Sequence, residues 1–310
     1  MDDFVVISGT ANPPLARAIA AELGLSLAKC RIERFPDGEV TVEVEQSVRQ
    51  RQVFLVQPTA PPVNDHLVEL IALADACRRA AADWITAVVP YFGYARADRR
   101  KARRVPIMAR AAANVIEASG IDHLVTLDLH SPQVEGFFEI PVESLTAVPT
   151  LVDAVRERVD PQTVIVSPDF GAVERANALA RRLGCDIAIV PKRRVSGSEV
   201  EAGEPIGRVE GRPCLIVDDM ISTGGTIVKA IETLQRAGAR DGVRVVATHG
   251  VFAAGAQQRL FAAGVEELLV TDTLPAPADE APDVRRISVA PLLATALRRL
   301  ALGESLRDLF

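Results

Sequence analysis

The sequence contains few aromatic residues and few cysteines. Aromatic residues make up 4% of the 310 residues, with a single tryptophan, so the core must be built mainly from Ala, Val, Leu and Ile. The four cysteines, at positions 30, 77, 185 and 214, form no CxxC pair. Their scatter excludes a recognisable zinc knuckle and favours a reducing compartment.

Signals for export or membrane insertion are also missing. The first residues, MDDFVVISGT, have no basic region and too short an apolar run for a signal peptide. No stretch reaches the roughly 18 consecutive apolar residues that a spanning helix needs, and the net charge of −6 argues against a general nucleic-acid binder. We therefore expect a soluble, cytoplasmic protein without a membrane or nucleic-acid partner.

Short β-branched runs alternate with Ala- and Leu-rich amphipathic stretches along the whole chain. FVVIS precedes PPLARAIAAELG near the start, and TVIVSPD precedes AVERANALARRLG in the second half. Apolar strands that alternate with helices are typical of parallel sheets covered by helices on both faces. The pattern predicts an α/β protein.

The two halves resemble each other at a nearly constant offset. Gly24 falls on Gly184 at an offset of 160, but HLVTLD (123–128) matches ELLVTD (267–272) only at 144. We interpret this as two copies of one α/β unit, with domains at residues 1–145 and 146–310. The last helix, predicted within residues 292–310, packs either on its own domain or on the first.

The first copy carries about sixteen extra residues, which fall in or near residues 93–108, the basic loop. Its sequence, GYARADRRKARRVPIM, places six cations within nine positions: Arg96, Arg99, Arg100, Lys101, Arg103 and Arg104. One interpretation is a solvated surface loop. The other is a clamp for a polyanion smaller than nucleic acid, such as a nucleoside triphosphate.

The stretch CLIVDDMISTGGT ends an apolar run with Asp218 and Asp219, and residues 222–226, the phosphate loop, follow. Glycines and a helix start let backbone N–H groups approach an anion closely. No Gly-Lys pair occurs, so this is not a Walker loop, and a sugar phosphate fits better, with the carboxylates on the sugar. The alternative is an ordinary strand–turn–helix junction with a threonine N-cap. The first copy has Pro58 and Thr59 in place of the two carboxylates.

Several motifs together resemble one enzyme family. IVDDMISTGGT is similar to the phosphoribosyl-pyrophosphate loop of type I phosphoribosyltransferases. The stretches that narrow the match to the ribose-phosphate pyrophosphokinase family are RFPDGEV (34–40), PYFGYAR (90–96), DRR (98–100), LDLH (127–130), GFF (136–138), SPDFGAVERA (167–176) and KRR (192–194). They follow the family's order over nearly the whole chain. The resemblance implies two phosphoribosyltransferase-like domains, with the nucleotide in the first and ribose 5-phosphate in the second.

The resemblance also implies a role for each matched residue. The implied catalytic residues are Lys192 and Arg194, and the implied ligands of Mg²⁺ are His130 and Asp169. The implied ATP contacts are Phe35, Asp37, Gly38, Glu39, Arg96, Ala97 and Arg99. The implied ribose 5-phosphate contacts are Arg194, Asp218, Asp219, Ser222, Thr223, Gly224, Gly225 and Thr226.

Taken alone, some of these residues have simpler interpretations. A histidine at a strand end, such as His130, is commonly a cap or a core residue. Asp37-Gly38 is a common hairpin turn, and KRR (192–194) could be an exposed basic turn. Ala97 and Ser222 depart from the family's pattern, in which Gln and, in bacterial members, Asp are usual. These departures leave nucleotide preference and allosteric control open.

The activity implied is transfer of the pyrophosphoryl group of ATP to the C1 hydroxyl of ribose 5-phosphate, giving 5-phosphoribosyl 1-pyrophosphate and AMP for nucleotide biosynthesis. The family further implies homo-oligomers, commonly hexamers built from dimers, in which residues 37–39 reach the nucleotide of a neighbouring subunit. Two alternatives remain at this point. One is a phosphoribosyltransferase that consumes the same product, and the other is a non-catalytic regulatory paralogue.

Overall fold

The chain folds into two compact units in a computed structural model that describes residues 4–194, 200–253 and 255–310. Unit 1 comprises Met1–Thr146, Thr273–Pro275 and Ser288–Phe310. Unit 2 comprises Ala147–Asp272 and Ala276–Ile287. Each unit therefore has a continuous main segment and shorter segments from the last forty residues.

Unit 1 is built on a parallel sheet. Its elements before residue 147 are β1 (Phe4–Ser8), α1 (Pro13–Glu22), β2 (Cys30–Arg34), β3 (Val40–Val44), β4 (Gln52–Val56), α2 (Val63–Arg79), β5 (Trp84–Val89), α3 (Met108–Ala118), β6 (His123–Leu127) and β7 (Val142–Leu145). The five-stranded sheet has the order β1–β4–β5–β6–β7, and all four of its pairings are parallel. Strands β2 and β3 form a separate antiparallel hairpin.

The central strands of unit 1 are apolar because both faces of the sheet are covered. Residues 53–56 of β4 and 85–89 of β5 are all buried, as expected for parallel strands with helices on each side. The hairpin instead alternates: Cys30, Ile32, Val42 and Val44 pack on the core, and the residues between them are exposed. The core lies between this sheet and its helices.

Unit 2 repeats the design with a larger sheet. Its elements are α4 (Val148–Val155), β8 (Val164–Ser167), α5 (Val173–Leu183), β9 (Asp186–Ile189), β10 (Lys192–Arg194), β11 (Val200–Ala202), β12 (Cys214–Ile221), α6 (Gly225–Arg236), β13 (Val243–Gly250), α7 (Ala256–Ala262), β14 (Val265–Thr271) and β15 (Val284–Ile287). The six-stranded sheet has the order β15–β14–β13–β12–β8–β9, and its pairings are parallel. Strands β10 and β11 form an antiparallel hairpin.

The strand orders of the two units correspond. In unit 1 the order along the sheet is β1, β4, β5, β6, β7, and in unit 2 the matching order is β8, β12, β13, β14, β15, with β9 added beside β8. A two-stranded hairpin follows the first sheet strand and its helix in both units. The prediction of a duplicated α/β unit with mainly parallel sheets is confirmed.

The last helix, α8 (Ala290–Leu302), belongs to unit 1. It packs against α1, and Arg298 Nη2 donates to the carbonyl of Glu22 at 2.9 Å. The helix stops at Leu302 because Gly303 adopts a left-handed conformation with φ 69°, a common helix terminator. The prediction of one helix within residues 292–310 is therefore wrong beyond Leu302, where only a short 3₁₀ turn, Arg307–Leu309, follows.

The four cysteines are free thiols. Burial raises the pKa of Cys77 to about 12 and that of Cys214 to about 11, so these two thiols stay protonated at neutral pH. Across the described part of the chain, every helix is too short or too polar to cross a bilayer.

Candidate active site

Strand β12 places two carboxylates in the middle of the sheet of unit 2. It lies between β8 and β13, and residues 214–217 are fully buried ahead of Asp218 and Asp219. The strand continues to Ile221, which pairs with Gly250 of β13. The carboxylates therefore lie in the second half of the strand and not beyond its end, because the neighbouring strand is equally long and keeps pairing with it.

The carboxyl group of Asp218 lies in an environment unfavourable to negative charge. Burial raises the pKa of Asp218 well above its ordinary range, and the negative charges of Asp219 and, more weakly, Asp169 raise it further. The backbone N–H of Asp219, which donates to Asp218 Oδ1 at 2.9 Å, opposes this increase. The carboxylates of Asp169, Asp218 and Asp219 thus concentrate negative charge at the carboxyl ends of the central strands of unit 2. This charge suits a cation or the hydroxyl donors of a sugar.

Arg175 of α5 brings a positive charge to the same edge. Its Nη1 lies 4.0 Å from Asp219 Oδ1, and its side chain is 15% exposed. This arginine lies within SPDFGAVERA, but its sequence context alone did not predict a role for it. One signal in the sequence could have indicated a role for Arg175. It lies on the same helical face as Ala172, Ala176 and Leu179, which are buried, whereas an amphipathic helix normally keeps a charged residue on its exposed face.

The phosphate loop follows β12 and leads directly into α6. The helix begins at Gly225, and its N-cap is Gly224, which has φ 77°. Only glycine adopts this conformation at little cost, and a Cβ on Gly224 would lie 3.2 Å from Leu260 Cγ. The alternative of a threonine N-cap is therefore wrong. The first N–H groups of α6 have no carbonyl one turn earlier, so they are available to an anion at the loop.

The loop is held in place from the neighbouring segment. The carbonyl of Ser222 accepts from the N–H of Ala253 at 3.0 Å. The carbonyl of Thr223 accepts from Arg259 of α7, from Nε at 3.2 Å and from Nη2 at 2.9 Å. Ser222 and Thr226 are half-buried, whereas Thr223 and Gly225 are exposed. The role of Arg259 could not be predicted from the sequence, because its contact bridges 36 positions and no local pattern marks it.

Asp169 follows β8 and begins a 3₁₀ turn, Phe170–Ala172. Its Oδ1 accepts from the N–H of Gly171 at 2.8 Å, and its carbonyl accepts from Ser167 Oγ at 2.6 Å. The residue is half-buried. Because β8 is the neighbour of β12, Asp169 comes to the same edge as the Asp218–Asp219 pair.

The predicted catalytic residues lie in β10. The backbone of Lys192 pairs with Ala202, and that of Arg194 pairs with Val200. The side chains of both residues, and residues 195–199 that follow, lie outside the described part of the structure. Strand β10 begins shortly after β9, the edge strand beside β8. The catalytic roles assigned to Lys192 and Arg194 stay predictions.

In unit 1, the basic loop follows β5 and has no regular structure until α3 begins at Met108. Its six cations are all exposed. The loop is nevertheless held by hydrogen bonds to other segments: Thr59 Oγ1 accepts from the N–H of Gly93 at 2.5 Å, Ser131 Oγ donates to Asp98 Oδ2 at 2.6 Å, and the Tyr94 hydroxyl donates to Asn64. The loop therefore presents a dense positive charge from a defined position at the carboxyl end of the sheet.

His130 lies close to the attachment of the basic loop at Ser131. It follows β6, and its neighbours Leu129 and Ser131 are buried, whereas His130 itself is exposed. The core interpretation of His130 is therefore wrong, and the N-cap position of the following 3₁₀ turn, Pro132–Phe137, is taken by Ser131. The Asp98–Ser131 hydrogen bond brings the basic loop beside this histidine.

The tip of the β2–β3 hairpin, residues 35–39, is exposed throughout. Its own hydrogen bonds close it: the N–H of Phe35 donates to the carbonyl of Glu39 at 2.8 Å, and the N–H of Gly38 donates to the carbonyl of Phe35 at 2.9 Å. Gly38 has φ 97°, a value that favours glycine. Asp37-Gly38 thus forms the hairpin turn that its sequence predicts, and the solvent-facing side chains of this hairpin tip are free to meet a ligand.

Among the residues that the structure describes, no group of three or more His, Cys, Asp and Glu side chains is arranged to hold a metal ion. An ion that keeps waters and uses ligand phosphates needs only one or two protein ligands. Half-buried Asp169 of unit 2 is a carboxylate donor of that type, and exposed His130 of unit 1 offers an imidazole nitrogen.

Comparisons with known proteins place these features in one family. A model of the N-terminal domain of ribose phosphate pyrophosphokinase matches residues 4–120, and a model of the phosphoribosyl synthetase-associated domain matches residues 204–310. The chain is 45% identical to a ribose-phosphate pyrophosphokinase of Burkholderia pseudomallei, over 100% of this chain and 98% of the relative. It is 47% identical to the same enzyme of Maricaulis maris, over 98% and 99% of the two chains.

A solved structure is also similar over almost the full length. The crystal structure of phosphoribosylpyrophosphate synthetase from Mycobacterium smegmatis matches with a TM-score of 0.90 and 37% identity, over 97% of this chain and 99% of that one. The similarity therefore includes both units.

Proposed function

The chain belongs to the ribose-phosphate pyrophosphokinase family, and on this premise we propose that it makes 5-phosphoribosyl 1-pyrophosphate and AMP from ribose 5-phosphate and ATP. The observation that carries the proposal is the phosphate loop: a left-handed Gly224 opens α6 three residues after the carboxylate-bearing strand β12. A phosphorylated sugar needs both features, an anion site for its phosphate and acceptors for its hydroxyl groups.

The reaction is a single displacement at phosphorus. The C1 hydroxyl oxygen of ribose 5-phosphate attacks the β-phosphorus of ATP, and a bond forms between these two atoms. The bond from the β-phosphorus to the oxygen shared with the α-phosphorus breaks, AMP leaves, and the hydroxyl proton passes to solvent. Transfer of this kind depends on positioning and on stabilisation of negative charge more than on covalent catalysis.

Ribose 5-phosphate is assigned to unit 2. The N–H groups at the start of α6 and the hydroxyls of Ser222, Thr223 and Thr226 bind the 5-phosphate. Asp218 and Asp219 accept hydrogen bonds from the ribose hydroxyls. The clamp of Arg259 on the Thr223 carbonyl keeps the loop ready before the sugar arrives, which lowers the entropy cost of binding.

The nucleotide is assigned to unit 1. Arg96 and Arg99 in the basic loop pair with the phosphates of ATP, because guanidinium groups bind phosphate oxygens in a bidentate manner. The hairpin tip, through Phe35, Asp37, Gly38 and Glu39, contacts the nucleoside. Ala97 adds no side-chain hydrogen bond; its carbonyl accepts from the N–H of Ala109 at 3.2 Å, which is a structural role.

Mg²⁺ fits the donor set that the chain offers. His130 and Asp169 would act as its protein ligands, and the ion would neutralise charge on the nucleotide phosphates. Lys192 and Arg194 would stabilise the charge that is redistributed during transfer. Each side chain thus has a distinct role, either in binding the ion, the sugar or the nucleotide, or in stabilising the pyrophosphoryl group as it moves.

The two alternatives are less well supported. A phosphoribosyltransferase is not favoured, because the matches to pyrophosphokinases extend over the full chain. A non-catalytic paralogue is not favoured either, because the chain keeps His130, Asp169, Lys192 and Asp218. We further propose a cytoplasmic location, which the four free thiols support.

A product assay tests the proposed reaction. We expect the purified full-length protein, mixed with Mg-ATP and ribose 5-phosphate, to yield AMP and a sugar with a pyrophosphate on C1, both resolved by ³¹P NMR. Omission of ribose 5-phosphate is the control. Formation of ADP would mean transfer of the γ-phosphoryl group and would contradict the proposal.

We also propose that the chain assembles into a homo-oligomer, a hexamer built from dimers, in which the exposed hairpin tip completes a neighbouring nucleotide site. The tip projects its side chains into solvent in the single chain, which supports this arrangement. Mass photometry of the active protein is expected to give a multiple of the 33.2 kDa chain mass; a monomer that retains full activity would contradict it.

A further inference from the structure

Hairpin β2–β3 is anchored to unit 1 at its base by apolar contacts. Cys30, Ile32, Val42 and Val44 pack on the core of unit 1. Arg34 is the last residue of β2, pairs with Val40 and marks the point where the exposed tip begins. The orientation of the tip depends on what holds the hairpin at this position, because the apolar anchors lie on the side away from the tip.

The side chain of Arg34 contacts a buried carboxylate, that of Glu69. Glu69 of α2 is 0% exposed. Its Oε1 accepts from the backbone N–H of Thr10 at 2.6 Å and from Gln57 Nε2 at 2.9 Å, and its Oε2 accepts from Thr10 Oγ1 at 2.6 Å. A buried carboxylate is tolerated only when such donors and a cation compensate its desolvation. Arg34 supplies the cation: its Nη2 lies 3.5 Å from Glu69 Oε2.

The network is tightly built. A Cβ on Gly9 would lie 2.1 Å from Gln57 Oε1 and 2.9 Å from Glu69 Oε1, so a side chain at position 9 would displace both members of this network. A second carboxylate, Asp65, lies four residues before Glu69 on α2, and its Oδ2 is 3.3 Å from Arg34 Nη1. The guanidinium of Arg34 therefore bridges two acids on one face of α2, one exposed and one buried.

We propose that Arg34, held by Asp65 and Glu69, is a positioning residue that fixes the hairpin tip against α2 and thereby sets the affinity for ATP without contacting it. The inference rests on the proposed function, since it assumes that the tip binds the nucleotide. The buried charge of Glu69 orients the guanidinium, and the guanidinium fixes the last residue of β2. The orientation of the five tip residues that follow, 35–39, then depends on Arg34.

The test is a pair of matched substitutions on one hairpin, made in the full-length protein. Arg34→Gln removes the link to α2. Arg31→Gln is the control, because Arg31 pairs only with acids of the same hairpin among the described ion pairs, Glu33 and Glu43. We expect Arg34→Gln to raise the KM for ATP about tenfold, with the KM for ribose 5-phosphate unchanged, and Arg31→Gln to alter neither.

Hydrogen exchange separates this inference from the proposed reaction, because it needs no activity. Amides of residues 35–39 should exchange faster in Arg34→Gln and in Glu69→Gln than in Arg31→Gln, and the Arg34→Gln and Glu69→Gln effects should not add in the double variant. Unaltered exchange and an unaltered KM for ATP in Arg34→Gln would overturn the inference, as would equal effects in Arg31→Gln. A wild-type protein that forms no AMP would refute the proposed function, and the exchange result would still decide the positioning role.

Discussion

Replacement of Lys192 by alanine is expected to lower kcat about a thousandfold, with the KM values for ATP and ribose 5-phosphate altered by less than about threefold. The reason is the place proposed for its ammonium group, at the pyrophosphoryl group during transfer. A charge that acts mainly in the transition state adds little to substrate affinity. A thousandfold loss corresponds to about 4 kcal/mol of lost stabilisation.

Steady-state kinetics with each substrate varied in turn checks this expectation. Lys192→Arg keeps the charge and should retain part of the rate, although its planar fork differs in shape from an ammonium. Lys29→Ala is the control, since Lys29 is an exposed lysine of unit 1 with no role in the proposed chemistry. If Lys192→Ala instead raised both KM values and left kcat intact, Lys192 would be a binding residue and not a catalytic one.

Much of the fold was predictable because its determinants are local. Fully apolar runs such as residues 53–56 and 214–217 occur only where a strand is covered on both faces, and the parallel sheets follow. The duplication was readable because Gly24 and Gly184 end equivalent helices, each with a left-handed φ, 75° and 70°. At these sites the residue type alone, an apolar run or a helix-terminating glycine, indicates the local structure.

The parts that the sequence did not reveal depend on contacts between distant segments. Asp218 and Asp219 lie inside β12 because the pairing of β12 with β13 continues as far as Ile221. The two aspartates themselves give no sign of this continued pairing. The N-cap of α6 is Gly224 and not a threonine, and Leu260, the residue that a side chain there would meet, belongs to the separate helix α7. The roles of Glu69 and Arg34 emerge only when the β2–β3 hairpin packs on α2, because a charge pattern along one helix does not show its partner.

Replacement of Asp218 by asparagine is expected to make the protein more stable and much less active. At neutral pH, we expect a thermal midpoint about 2–4 °C higher and a kcat/KM for ribose 5-phosphate about a hundredfold lower. Stability rises because the asparagine side chain carries no charge to bury beside Asp219, whereas burial and that neighbour disfavour the ionised Asp218. Activity falls because asparagine offers one acceptor oxygen where the carboxylate offers two.

The pH dependence of that stability difference identifies its cause. The pKa of Asp218 is raised in the folded protein, so below about pH 4 the group is protonated in both the folded and unfolded states and costs nothing. As the pH rises, the unfolded chain releases its proton first, and the wild type loses stability until the raised folded pKa is passed. Thermal melts in EDTA from about pH 3.5 to about pH 8 should therefore show the Asp218→Asn variant gaining on the wild type with increasing pH. Asp241→Asn, in the exposed connection before β13, should show no such gain. If the difference in thermal midpoint between Asp218→Asn and the wild type were the same at every pH, the asparagine would stabilise the protein by packing. The ionised Asp218 would then not destabilise the fold, and its retention would not be a stability cost of binding the sugar.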